Sequence, residues 1–150
     1  MPKLPTGELV AVAYAKAVLT GAGKGSVPVV TTLPPVADWV STGAVQVGGI
    51  VGGVARDTAL HDMVVSFEGW AARPNSDKPP WGQANELLEI LWNDAYATDA
   101  FYAVELQPAD VYSDVLIQSG KPLTPPRRIP DQDQSRAHYS MDLRLFWTVR

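Results

Sequence analysis

The 150-residue chain has no cysteine, only two histidines, and no apolar run long enough to span a bilayer. Without thiols there can be neither a disulfide frame nor a thiolate metal site. His61 and His138 are too few for an imidazole cluster, so neither a metal nor a cofactor is expected. Leu9 to Leu19 is apolar, but Glu8 and Lys16 flank or interrupt it. It also falls short of the roughly 20 residues a spanning helix needs, so no membrane association and no export are expected. Basic residues are outnumbered as well. A net charge of −4 argues against phosphate-backbone binding as the main task, which needs clustered Lys and Arg.

The charge that is present is unevenly distributed. Residues 1–78 balance six basic groups against six acidic ones. Residues 79–120 carry Glu86, Glu89, Asp94, Asp99, Glu105, Asp110 and Asp114 with no Lys or Arg, a net of −7. Residues 121–150 return to +3. Ordinary solvated faces explain such blocks. The sharper alternative is an acidic surface on one copy that meets a basic surface on a neighbour.

A length of 150 residues suits one domain, residues 1–150, with a core that needs no staples. Thr6 is a natural N-cap for a helix from Gly7 to Leu19, Glu8 suits its first turn, and Gly21 and Gly23 end it. This helix is apolar nearly all round, which predicts burial on two sides. A neighbouring subunit could supply one of them, making Val10 and Tyr14 interface candidates. Val27 to Thr32 reads as a short strand, and one helical turn is expected around Ala37-Asp38-Trp39. Gly43 to Val51 and His61 to Trp70 alternate as a hairpin, with Val45, Val47 and Val51 sharing one face and Gly48-Gly49 marking a bulge. Trp81 to Tyr96 is the clearest helix: Ala84, Leu87, Leu88, Leu91, Trp92 and Ala95 form its apolar stripe. Val111 to Gln118 and His138 to Val149 complete the strands, and Ser119 to Ala137, rich in proline and charge, reads as a long loop, either functional or disordered. The sum is an α+β domain: a mostly antiparallel sheet of about five strands with two main helices packed on one face.

Catalytic motifs do not emerge. Gly21-Ala22-Gly23-Lys24-Gly25-Ser26 has the wrong spacing and order for a phosphate loop, since a helix precedes it and a strand follows. His61-Asp62 and His138 lack a nucleophile elbow or metal-helix spacing around them. The chain is therefore expected not to be an enzyme. Of five tryptophans, Trp92 and Trp147 fall on core faces, while Trp70 and Trp81 could reach a partner, as aromatic anchors at interfaces do. Packing at the helix start is the plainer role for Trp81.

Several segments occur in an order that resembles the tail terminator proteins of long-tailed phages that infect actinobacteria. They are Leu4-Pro5-Thr6-Gly7-Glu8-Leu9-Val10-Ala11-Val12-Ala13, Thr32-Leu33-Pro34-Pro35 with Trp39, Gly43 to Val51, and Lys78-Pro79-Pro80-Trp81-Gly82-Gln83-Ala84-Asn85. The last is the most distinctive. The resemblance covers roughly the first two thirds of the chain and reduces to a strand pattern after Thr98. It implies a small α/β or α+β subunit in a homo-oligomeric ring, typically of six, that caps the tail-tube protein, stops its polymerisation and docks to the head connector. DNA then passes through without specific binding. No catalytic or cofactor residues come with it. For such a ring, Glu86, Glu89, Asp94 and Asp99 are candidates to line an acidic lumen that repels phosphate. Arg127, Arg128, Asp131 and Asp133 are candidates to contact the tube or a neighbour. Another head-to-tail joining or tail-tube protein, or a small-ligand-binding domain using Trp70 and Trp81, are the competing readings.

Overall fold

The computed structural model describes residues 3–51, 60–97, 102–104, 106, 111–131 and 133–149. Helix α1 (Gly7–Gly21) begins where Thr6 accepts the amide of Leu9 through its hydroxyl, at 3.3 Å. It ends in a glycine cap: Gly23 adopts φ +78°, its amide reaches the Thr20 carbonyl at 3.1 Å, and the Lys24 amide reaches Leu19 at 2.8 Å. This crossed pair is the Schellman arrangement, which a residue without Cβ favours. Helix α2 (Trp81–Ala97) follows Pro80, whose carbonyl accepts the amides of Gln83 and Ala84. Its stripe of Ala84, Leu87, Leu88, Leu91 and Ala95 is buried as the spacing predicts.

Six strands form one mostly antiparallel, curled sheet with both helices packed against it. They are β1 (Val29–Val30), β2 (Ala44–Val51), β3 (Leu60–Ala72), β4 (Tyr102–Val104), β5 (Val115–Arg128) and β6 (Arg136–Val149). Their order across the sheet is β1-β2-β3-β6-β5-β4, and only the β1–β2 pair is parallel. A single 3-10 turn, Val36–Asp38, leads into Trp39, which is wholly buried with its indole N–H donated to the Pro34 carbonyl at 2.9 Å.

Alternation along β3 and β6 works as expected. Met63, Val65 and Phe67 oppose Leu145, Leu143 and Met141, and all six are buried under the helices. Gly69 lies beneath α2, where an added Cβ would stand 2.6 Å from the Ala84 carbonyl oxygen, so the helix can approach the sheet only because no side chain intervenes. In β2 the register slips between Val47 and Ile50, as the two glycines suggest. The slip reverses the alternation beyond it, because one extra residue exchanges the faces. Ile50 therefore packs on the core while Val51, expected there, is 71% exposed.

Two further expectations are corrected. The segment expected to be a loop, Ser119 to Ala137, is mostly strand: β5 runs to Arg128 and pairs with β6 through three register irregularities. Beyond its short pairing with β4 at Val115–Ile117, β5 is an edge strand. Pro122, Pro125 and Pro126 are compatible with strand there because an edge does not need every amide donor. Val10 and Tyr14 are not outer-surface residues. They are 0% and 1% exposed, enclosed by the curled sheet and α2 within one chain.

Candidate functional site

Three surface features gather the residues that the sequence singled out. The first is the outward side of α2. Glu86 and Glu89 are exposed there, and Asp94 is half-buried. Asn85 donates to Glu89 at 2.7 Å, one helical turn away. Lys24, from the turn after α1, stands 3.7 Å from Glu86. Asp94 accepts the Tyr14 hydroxyl at 2.9 Å, which binds the two helices at a polar point inside an apolar contact. Asp99 lies outside the described residues. Glu86 and Glu89 therefore share one exposed helix face, and Asp94 sits at the seam between the helices.

That seam opens into a groove of about 440 Å³ lined by Ala17, Val18, Gly21 and Ala22 of the α1 end and by Ile90 and Asp94 of α2. Its walls are mainly apolar. Sequence reasoning missed it, although Ala17 and Gly21 are four apart on one helix and so stack on one face. Tyr96, on the next turn of α2, is 79% exposed.

The second feature is the Trp81 cleft, about 310 Å³, formed where the proline loop before α2 meets the β5–β6 turn. The Trp81 indole is held edge-on to Tyr139, centroids 6.0 Å apart, and the Arg128 guanidinium lies over its ring at 4.2 Å. This is a cation–π contact that also spreads the basic charge over a flat face. Arg136 reaches Asp133 at 3.5 Å. Asp131 accepts the Asp133 amide at 3.0 Å, while Asp133 accepts both the amide and the hydroxyl of Ser135. Those Ser135 hydrogen bonds hold the Asp133 carboxyl below the usual aspartate range. Asp131 and Asp133 thus shape the turn itself. Arg127 is separate: it opposes Ser140 near the end of β5 and is exposed.

The third feature is the sheet face turned away from the helices. Trp70 stacks on His138, its cross-strand partner, with centroids 3.8 Å apart, and its indole N–H goes to Gln46 at 3.1 Å. His138 contacts Glu68 at 3.0 Å. Further along, Ser66 donates to Asp142 at 2.6 Å, and Arg144 makes a two-pronged pair with Asp62. The Arg144 hydrogen bond depresses the Asp62 pKa, and Asp62 in turn raises that of Arg144. On the opposite face His61 stacks on Trp147 at 4.0 Å. Each histidine is therefore a half-buried stacking partner of a tryptophan on a central strand.

Among the described residues no three or more His, Cys, Asp or Glu side chains are grouped to hold a metal ion. Among them, too, no helix is long and apolar enough to cross a membrane. No family model matches the chain, and no curated protein matches it.

Proposed function

We propose that the chain is a phage tail terminator: a virion structural protein whose copies form a ring that caps the tail tube, halts its polymerisation and joins it to the head connector. The resemblance in the N-terminal and Lys78–Asn85 segments supplies the identity of the assembly. The observation that supports it in the fold is the separation of charge on one small subunit. Glu86 and Glu89 are exposed on helix α2, whereas Lys121 and Arg127 are exposed on strand β5. A closed ring repeats one heterologous contact, so each subunit needs two different and complementary surfaces. No catalytic role is assigned to any residue.

Electron microscopy of the purified chain, alone and mixed with tail tubes, tests this reading. The expected image is a single ring layer that sits on tube ends and adds no second layer. Stacks of rings would identify a tube component instead. Particles that never close, and that leave tube ends growing, would reject the assembly altogether. The Trp81 cleft favours one rival, a small-ligand-binding domain, which would show a ligand-induced rise in melting temperature on a stable monomer.

A further inference from the structure

The apolar groove between α1 and α2 and the open edge of β5 are complementary in apolar character and charge. The groove is bordered by Asp94, with Glu86 and Glu89 on the adjoining α2 face. The β5 edge offers the reverse: Leu123, 48% exposed, sits between Lys121 and Arg127, both exposed. An apolar side chain in water with cations on either side needs an apolar recess with carboxylates around it.

We propose that the groove receives the β5 edge of a second copy of this chain, with Leu123 entering between α1 and α2 and Lys121 and Arg127 facing the α2 carboxylates. The proposal rests on the self-association that the ring reading requires, and names its contact. Pairing of strand to strand is disfavoured at this edge. Pro122, Pro125 and Pro126 lack amide donors, and the three register irregularities bend the strand. What the edge can still offer a neighbour is side chains.

The two rows of charge differ in length by an amount that long side chains can bridge. Lys121 to Arg127 covers at most about 20 Å of strand at roughly 3.3 Å per residue. Glu86 to Asp94 covers about 12 Å of helix at 1.5 Å per residue, and the long stems of Lys and Arg span the difference. The contact is heterologous, since groove and edge are different surfaces of one subunit, and can therefore propagate around a ring. In this arrangement Glu86, Glu89 and Asp94 serve the contact between neighbours, and the lumen is lined by other residues.

Sedimentation velocity on the full chain, over concentrations that span assembly, tests the contact with variants at exposed positions. Leu123→Asp and Ala17→Trp, the second filling the groove, should each lower the apparent association constant at least tenfold. Their circular dichroism should match the parent. Glu89→Lys should weaken assembly, and adding Lys121→Glu to it should recover part of the loss. If all four variants assemble like the parent, this docking is overturned and the ring reading stands. A parent chain that remains a monomer throughout overturns both.

Discussion

At the scale of single residues, the fold depends on a few positions where atoms cannot be added or partners removed. Gly69 is the sharpest. A methyl group there would meet the Ala84 carbonyl at 2.6 Å and the Leu88 side chain at 3.0 Å, and a backbone oxygen cannot swing away. Gly69→Ala should therefore force α2 off β3 and cost on the order of 1–3 kcal/mol, the range for overpacking a tight core. Urea denaturation with an unchanged m-value would show it. The Asp62–Arg144 pair gives a different kind of prediction, one read in pH. Asp62 has a lowered pKa in the folded chain, so its stabilisation is fully present above the ordinary aspartate value and fades as pH falls through the lowered one. Arg144→Met removes the main cause of that shift and leaves only the weaker pull of the Lys121 charge. Below about pH 4 the parent should lose stability more steeply with falling pH than the variant does. Equal acid slopes in parallel thermal melts would contradict this.

Secondary-structure elements show what can be read from a pattern and what cannot. Both helices were legible because each carries its own punctuation: Thr6 and the Gly23 cap for α1, Pro80 and a clean apolar stripe for α2. The buried faces of β3 and β6 followed from alternation alone. Strand β5 was illegible because Gly120, Pro122, Pro125 and Pro126 carry loop signals, and only its edge position, a fact of topology, makes them compatible with a strand. Strand β4 is three residues long, too short for a period to register. Val10 and Tyr14 were assigned outward because an all-round apolar helix needs a second cover; the curled sheet with α2 provides it within the subunit. Of the proposed contact, sequence gave the charges but not the groove, which exists only where the end of α1 meets the middle of α2. The prolines of β5 have a testable consequence. Replacing Pro122, Pro125 and Pro126 together with threonine restores amide donors to a strand with an unprotected edge. The variant should keep the far-ultraviolet spectrum of the parent but form thioflavin-positive aggregates that the parent does not. A triple variant that remains clear at high concentration would show that the prolines are not the guard.

For the whole molecule, the β5–β6 turn is the part whose loss should separate folding from assembly. Its order is mostly local: Asp131 holds the Asp133 amide, Asp133 holds Ser135, and Arg136 pairs back to Asp133, with one outside tie from the Arg73 amide to the Ser135 carbonyl at 2.9 Å. The strands it joins are anchored independently, since β6 pairs along its length with β3 and the Ile129 amide closes on His138 at 2.8 Å. Exchanging residues 130–135 for Asn-Gly, a pair suited to a tight hairpin, should thus leave the sheet and the helix cores intact. The melting temperature should change by only a few degrees, because about 1 kcal/mol of lost turn hydrogen bonding corresponds to roughly 2–4 °C in a domain of this size. The exchange also removes Asp131 and Asp133 and opens the Trp81 cleft on one side. If that corner of the subunit meets the tail tube, rings should still form but fail to stop tube growth. Electron micrographs would then show tails longer than normal with the variant protein free in solution. Tails of normal length, capped by rings of the shortened variant, would place the tube contact on another surface.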